Sequence, residues 1–389
     1  MRFGVAVSIA AALTATALAP QLASASDASG GSMVIQPTRT PTTPGGGAFT
    51  AVSCKSATKC IGVGGGAESP GFGFADKWNG TKWNPLTISE PSGVTQSALE
   101  GVSCSSATSC TVVGYYFNSS GSEFTLGERW NGTSWSMQST PSPGSYGPEL
   151  LGVSCPTATD CTAVGTYQAA IGGPNVTLAE RWSGGTWSVQ TTPNPTAAGH
   201  WTQLSSVSCS SASACTAVGD YLDSSNSEVM LAERWNGHVW AIQSTPSPSG
   251  ALQTWLSGVS CASSTDCTAV GAQVTSSTTL TLAEGWNGTA WTTQSSPSGL
   301  AGEFSAVSCP TTGACTASGM YQVVSGTFVT LAERWNSASW TIESTPSPSN
   351  RERAGLTGVS CVSASSCEAV GFSATRQGHE YTLAEGNVA

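Results

Sequence analysis

The sequence predicts an all-β protein: a seven-bladed β-propeller with four antiparallel strands per blade, in which the N-terminal strand completes the last blade. Three observations predict this fold. A pair of cysteines recurs seven times, at intervals of 48 to 54 residues. Each interval holds four short β-type runs and no helical period. The strand that the last repeat lacks is present at the other end of the chain.

The cysteines set the register of the repeats, because each pair has five residues between its members. A hairpin loop of that length places both cysteines on neighbouring strands, within reach of a disulfide. The spacing differs from the shorter gaps of zinc sites and the chain has 3 histidines, so no metal and no cofactor are predicted. The expected disulfides are Cys54 with Cys60, Cys104 with Cys110, Cys155 with Cys161, Cys209 with Cys215, Cys261 with Cys267, Cys309 with Cys315, and Cys361 with Cys367.

The fourth repeat illustrates the four strands, named A to D. Residues 204–209 and 215–219 form strands A and B, and residues 229–235 and 240–244 form strands C and D. Asn236-Gly237 between C and D predicts a tight hairpin in which both residues take positive φ. Prolines after strand D then end the pairing. Stacked blades of this kind bury both faces of each sheet, which an isolated sheet of this size cannot do.

The two ends of the chain complement each other. The seventh repeat stops after strand C, at residues 381–385, without a strand D. Residues 33–36 match strand D of the other repeats. We therefore expect Val34 and Ile35 to lie alongside Leu383, which closes the ring and removes an exposed sheet edge.

The repeated motifs resemble those of a known group of proteins. Units with Val-Ser-Cys, Cys-Thr-Ala-Val-Gly and Leu-Ala-Glu-Arg-Trp-Asn-Gly-Thr-x-Trp resemble the disulfide-stapled propeller repeats of secreted actinobacterial proteins, over residues 32–389. The C to D hairpin is more distantly similar to the Asp-box turn of sialidase-like propellers. Its Asp and the preceding Ser are absent from all six such turns, so sialidase activity does not carry over.

Residues that recur in every repeat are interpreted as structural. Twelve of the 14 tryptophans flank the C to D turns, which favours packing between blades over a sugar-stacking platform. In four repeats strand C carries adjacent Glu and Arg, as in Glu233 and Arg234, and adjacent strand residues point to opposite faces. We therefore expect each Glu to meet a group on the adjoining blade, and Glu233→Gln to lower the melting temperature.

The N-terminus predicts secretion. Residues 1–25 show one positive charge, a short apolar run and a small-residue cleavage site, the pattern of a signal peptide. Residues 26–31 are then a short linker, and 32–389 a single propeller. No later stretch has the length of a membrane span. With a net charge of −10 and no basic stripe, nucleic acid is excluded as a partner, and we expect an extracellular or cell-surface monomer.

Candidate binding residues come from the parts that differ between repeats. The A to B and C to D hairpins are nearly invariant, whereas the B to C and D to A connections vary. We call the side of the ring with these connections the variable face and the opposite side the hairpin face. Loops that vary on a rigid scaffold commonly carry function. The candidates are Trp201, Trp255, His200, Tyr116, Tyr167, Tyr221, Tyr321, Arg351, Arg353, His379 and Glu380.

Two functions fit these residues. The first is an extracellular binding or scaffold module for a glycan or a protein. The second is a glycoside hydrolase or lyase with its site at the channel mouth, which needs two carboxylates about 5 to 10 Å apart. Acidic residues are plentiful on the variable face, but no motif selects a pair, so binding is favoured over catalysis. Tyrosines at strand ends also commonly serve only to pack the rim.

Overall fold

The computed structural model describes residues 32–43, 45–144, 146–297, 301–324 and 326–387. These residues form β-strands joined by turns and loops, and the fold is an all-β propeller. Each of the first six sequence repeats contributes an innermost, a second, a third and an outer strand, which correspond to strands A to D, and the seventh repeat contributes the first three. The expected signal peptide, residues 1–25, lies outside the described residues.

The strands are numbered in chain order. The innermost strands are β2 (Gly47–Ser56), β6 (Val94–Ser106), β10 (Tyr146–Ser154), β14 (Ala198–Ser211), β18 (Gln253–Ser263), β22 (Gly302–Thr311) and β26 (Arg353–Ser363). The second strands are β3 (Lys59–Gly66), β7 (Ser109–Asn118), β11 (Cys161–Gln168), β15 (Ala214–Asp223), β19 (Asp266–Val274), β23 (Ala314–Val324) and β27 (Ser366–Ala374). The third strands are β4 (Phe74–Trp78), β8 (Glu123–Trp130), β12 (Asn175–Ser183), β16 (Glu228–Trp235), β20 (Thr279–Trp286), β24 (Thr327–Trp335) and β28 (Glu380–Asn387). The outer strands are β5 (Trp83–Leu86), β9 (Trp135–Met137), β13 (Thr186–Gln190), β17 (Trp240–Gln243), β21 (Trp291–Gln294), β25 (Trp340–Glu343) and β1 (Met33–Ile35).

The predicted count of seven separate blades is wrong. The described residues form five separate four-stranded blades, from the first five repeats, and one eight-stranded sheet that holds the strands of the last two repeats and β1. The two repeats merge because β24 pairs in parallel with β26 through Phe328 and Arg353. The backbone N–H of Phe328 donates to the carbonyl of Glu352 at 3.0 Å. Asn350, which has a positive φ of 64°, turns the chain just before this segment.

The two ends of the described chain pair with each other. Strand β1 is antiparallel to β28, with Val34 opposite Gly386 and Ile35 opposite Glu385. The pairing continues past β1, where the N–H of Gln36 donates to the carbonyl of Ala384 at 2.9 Å. Met33 is buried in the adjacent hydrophobic cluster. The predicted pairing between the chain ends is therefore present, at one edge of the eight-stranded sheet.

Small residues allow the innermost strands to approach one another. A Cβ on Gly258 would lie 2.9 Å from the Cα of Ala306, and one on Gly358 would lie 3.0 Å from the Cα of Ala51. Both distances are shorter than nearly all Cβ contacts, so a larger residue would fit only if the neighbouring strand moved. Strand β26 contacts β2 in this way, which brings the last repeat against the first. The equivalent positions are Ala51, Gly101, Gly152, Ser206, Gly258, Ala306 and Gly358.

A ring of hydrogen bonds explains the repeated Val-Ser-Cys motif. The serine of each motif accepts a hydrogen bond from the backbone N–H of the first cysteine of the next repeat. The distances are 2.9 to 3.0 Å throughout. The acceptors are Ser53, Ser103, Ser154, Ser208, Ser260, Ser308 and, for Cys54, Ser360. The last bond joins the seventh repeat to the first, so the innermost strands are linked all the way round.

The seven predicted disulfides are all present, with Cα–Cα separations of 3.9 to 4.1 Å.

The hydrophobic clusters lie between repeats: one packs Val113 of the second repeat against Leu150, Trp182 and Trp187 of the third. The repeated tryptophans form pairs at the ends of the third and outer strands, with ring centroids 5.4 to 5.8 Å apart. These tryptophans therefore pack the interfaces between repeats, as predicted.

The C to D turns differ in detail from the prediction. Trp235 is paired with Trp240, so the loop between them has four residues. Gly237 has a φ of 95°, whereas Asn236 is not among the positive-φ residues. The Asn236 Oδ1 instead accepts hydrogen bonds from the N–H groups of His238 and Val239, at 2.9 and 3.0 Å. The asparagine thus stabilises a longer turn through its side chain.

Candidate functional site

The variable face is where the innermost strands begin, the second strands end and the third strands begin. In the fourth repeat, Ala198 pairs with Asp223, and Leu222 pairs with Glu228. The innermost strands extend unequally towards this face, since β14 begins further from its cysteine than β22 does. The residues that differ between repeats thus lie on paired strands as well as in loops.

Charged side chains from three repeats converge on this face. Burial raises the pKa of Glu228, and the nearby carboxylates of Asp220 and Glu303 raise it further. Burial also raises the pKa values of Glu303 and Glu380, and Arg353 opposes both shifts. Asp220 accepts a hydrogen bond from Gln203 Nε2 at 2.9 Å. The fourth, sixth and seventh repeats therefore share one electrostatic environment.

A second acidic group lies between the second and third repeats. Burial raises the pKa of Glu100 to about 7, and the Glu149 carboxylate adds to the shift. Burial also raises the pKa of Tyr115, with contributions from Glu100, Glu149 and Glu123. Sequence reasoning missed Glu100, because it follows a buried leucine within a strand. Comparison of the repeats could have identified Glu100, because most other repeats have Ser or Thr at that position.

Trp201 and Trp255 both lie on innermost strands, not in the connecting loops where the sequence analysis placed them. Both side chains are half-buried, and the neighbouring His200 is exposed. Trp255 pairs with Ala272 at the variable end of the fifth repeat. Glu228 and Glu303 lie on the repeats before and after it, and the Glu303 carboxylate contributes to the raised pKa of Glu228. Trp255 therefore lies on the repeat between those that carry Glu228 and Glu303.

The four candidate tyrosines are packed between repeats. Tyr116 stacks on Phe124, with ring centroids 5.2 Å apart and an angle of 22° between the planes. Tyr116, Tyr167, Tyr221 and Tyr321 each pack against the hydrophobic cluster of their own interface. The positions are those of packing residues near the variable face.

The remaining candidates lie on the seventh repeat. Arg353 lies 5.8 Å from the ring centroid of Phe328 and 5.9 Å from that of Phe372. The Arg351 guanidinium lies 4.1 Å from the ring centroid of Tyr381, and the His379 ring meets the same tyrosine at 4.8 Å. These contacts bring Arg351, His379 and Tyr381 together in one group.

The third-strand glutamates face the preceding repeat and the arginines face the following one. The N–H of Ser89 donates to Glu128 at 3.0 Å, and the hydroxyl of Ser296 donates to Glu333 at 2.9 Å. Arg234 stacks on Trp286 of the next repeat at 4.4 Å. Contacts to the adjoining repeat thus exist at some positions, as hypothesised.

Glu180 and Glu233, two of the third-strand glutamates, are examples without such a partner among the described residues. No hydrogen bond reaches either carboxyl oxygen of Glu180 or of Glu233, within the described part of the chain. Both side chains are fully buried. Burial raises the pKa of each carboxyl to about 8.

The hairpin face has an open cleft of about 400 Å³ between the fourth and fifth repeats, lined by Arg234, Trp235 and Trp286 among others. The sequence analysis did not identify it, since these residues recur as packing residues.

Within the described residues, no group of His, Cys, Asp and Glu is arranged to hold a metal ion. Within the same residues, no helix has the length and apolar character needed to cross a membrane.

Several solved structures are similar to this one. YCF48 bound to a D1 peptide has a TM-score of 0.54 and 12% identity, over 93% of this chain and 97% of that one. The GH74 xyloglucanase from Xanthomonas campestris has a TM-score of 0.54 and 12% identity, over 87% and 54%. A PL25 ulvan lyase has a TM-score of 0.52 and 10% identity, over 86% and 90%. At these identities the likeness shows the fold alone.

No protein-family model matches the chain, and no curated protein matches it in sequence. The function must therefore be argued from the site.

Proposed function

We propose that the protein is a secreted binding module that recognises a glycan on its variable face, around Trp255. The observation that carries the proposal is the position of Trp255 on the repeat between those of Glu228 and Glu303, which places an aromatic ring beside carboxylates at the variable face. An aromatic ring supplies a stacking surface, and carboxylates accept hydrogen bonds from hydroxyl groups. This pair of features suits a sugar.

Secretion is supported by the disulfides and by the pattern of residues 1–25. Disulfides persist in oxidising compartments and are rare in the cytosol. Seven of them in one chain are consistent with an extracellular location. The structural neighbours include a peptide-bound protein as well as polysaccharide-degrading enzymes, so a protein ligand is the other outcome that the test must distinguish.

The test is a glycan and cell-wall array with the parent protein, Trp255→Ala and Trp201→Ala. The matched control is Val239→Ala, because Val239 is an exposed apolar residue on the hairpin face. We expect Trp255→Ala to weaken binding about tenfold or more, as loss of a stacking residue at a hot spot does. We expect the control to bind as the parent does. Binding that all three variants retain, or binding to peptides alone, would overturn the proposal.

A glycoside hydrolase or lyase is the second candidate, and one observation favours it. Glu228 has a raised pKa next to the carboxylates of Asp220 and Glu303, the kind of environment that separates a general acid from a base. If the array identifies a ligand, product formation from it should be measured with the parent and with Glu228→Gln. Turnover by the parent that Glu228→Gln loses, with binding retained, would establish catalysis in place of binding alone.

A further inference from the structure

We infer that Arg351, with His379 beside it, forms a subsite for a carboxylate, and that the glycan bound on the variable face therefore contains uronic acid units. The inference rests on the proposed function, since it identifies the substrate class of the same face. Its basis is the guanidinium of Arg351, which forms no hydrogen bond and no ion pair with the described residues.

Arg351 is held in place by its surroundings. Its guanidinium lies 4.1 Å from the ring centroid of Tyr381. The next residue, Glu352, is fixed on both sides of the backbone: its N–H donates to the carbonyl of Ala374 at 3.1 Å, and its carbonyl accepts from Phe328 at 3.0 Å. A guanidinium fixed in this way loses little conformational freedom when it binds a ligand.

The donors of Arg351 are unpaired within the described residues. Its Nε is buried and has no hydrogen-bond partner, and Arg351 takes part in no ion pair among these residues. The adjacent carboxylate, Glu352, pairs with Arg376 at 2.8 Å. A half-buried arginine normally has an acceptor, because leaving charged donors unpaired costs free energy. We assign that acceptor to a ligand that approaches the terminal nitrogens of the guanidinium, because Nε itself is buried.

His379 adds a second nitrogen-bearing side chain at the same place. Its ring meets Tyr381 at a centroid distance of 4.8 Å, in an edge arrangement. Gly46 lies close by: a Cβ there would be 3.2 Å from His379 Nε2 and only 1.8 Å from the carbonyl oxygen of Glu380. The Gly46 backbone therefore packs closely against Glu380 and the His379 ring, and only glycine fits at position 46 without movement.

The shape and charge of the site select the ligand. The planar guanidinium presents parallel N–H groups that match the two oxygens of a carboxylate. Glu303 and Glu380 lie near Arg353 on the same face, and they disfavour a densely charged polyanion. A sugar chain with single carboxylates among neutral hydroxyls satisfies both conditions. A carboxylate could also come from a peptide, and the experiment separates the two sources.

The experiment compares two oligosaccharides that differ only by a glucuronic acid in place of glucose, titrated calorimetrically into the full-length secreted protein. An acetylated peptide with a free C-terminal carboxylate serves as the third probe. The variants are Arg351→Ala and Arg351→Lys, and the control is Arg376→Ala, an exposed arginine of the same repeat. Thermal melting of each variant checks that it is folded.

We expect the parent to bind the acidic oligosaccharide about tenfold more tightly than its neutral twin, in line with a charge-assisted bidentate contact. Arg351→Ala should abolish that preference, Arg351→Lys should retain only part of it, and Arg376→Ala should leave it unchanged. Equal affinity for the two sugars, with Trp255-dependent binding intact, would overturn this inference and leave the proposed function standing. Arg351-dependent binding of the peptide with no sugar bound would overturn both.

Discussion

The buried glutamates make a pH-dependent stability the most informative prediction. Burial raises the pKa of Glu233 from 4.5 to about 8, and neither oxygen has a hydrogen-bond partner among the described residues. The folded state therefore holds this proton more tightly than the unfolded state. The stabilisation is complete below pH 4.5 and is lost as the pH rises towards 8.

Glu233→Gln isolates this contribution, because glutamine has nearly the same shape and does not titrate. Each pKa unit corresponds to about 1.4 kcal/mol, so between pH 4.5 and pH 7 the ionisable group destabilises the fold by about 3 kcal/mol relative to a neutral one. The variant should thus gain about 3 kcal/mol on the parent over that range. The expectation from the sequence that Glu233→Gln lowers the melting temperature assumed a partner for Glu233 on the adjoining blade, and no hydrogen bond to its carboxyl is present among the described residues.

The assay is urea denaturation at pH 4.5, 6, 7 and 8 with the disulfides intact, extrapolated to zero urea. Glu68→Gln, at an exposed glutamate, is the control, and it should run parallel to the parent. A difference between Glu233→Gln and the parent that stays constant across this range would refute the reasoning. It would mean that Glu233 is ionised and paired with a group such as an ordered water.

Three further outcomes are expected. Trp240→Phe should lower the free energy of unfolding by about 1 kcal/mol more than Trp291→Phe does, as measured by urea denaturation. The reason is that Trp240 Nε1 donates a hydrogen bond to Gln190 at 3.0 Å, whereas Trp291 Nε1 has no partner in the described residues. Met33→Ala should lower the free energy of unfolding by about 2 to 4 kcal/mol, because Met33 is buried at the junction of the chain ends. Val34→Ala, at an exposed position of the same strand, should lower it by under about 1 kcal/mol in the same assay. Replacing Cys209 and Cys215 by alanine should cost about 2 kcal/mol, measured against the parent by thermal unfolding; no change would show that the hairpin is equally ordered without its disulfide.

Features with local causes could be predicted from the sequence. The disulfides follow from a fixed spacing within one hairpin, and the tryptophan pairs follow from their positions beside one turn. The pairing of the chain ends was also predictable, because Met33–Ile35 supplies the strand that the last repeat lacks.

Features that depend on how repeats meet could not be predicted. The merging of the last two repeats depends on a contact between Phe328 and Arg353, which are far apart in the repeat pattern. The ring of serine hydrogen bonds depends on the distance between neighbouring innermost strands, and the presence of a serine in each repeat does not indicate that distance. Trp201 and Trp255 were placed in loops because the length of an innermost strand is set by its neighbour, not by its own residues.

The repeated structure also explains why a binding site belongs on the variable face. The repeated serines are held by the ring of hydrogen bonds, and the repeated tryptophans and arginines pack against each other between repeats. Replacing such a residue disturbs an interface, so these positions have little freedom to acquire a ligand contact. Arg351 occurs in one repeat only, and its buried Nε has no partner among the described residues. Because Arg351 makes no hydrogen bond or ion pair within the described part of the fold, recognition through its guanidinium can be selected without loss of such a contact.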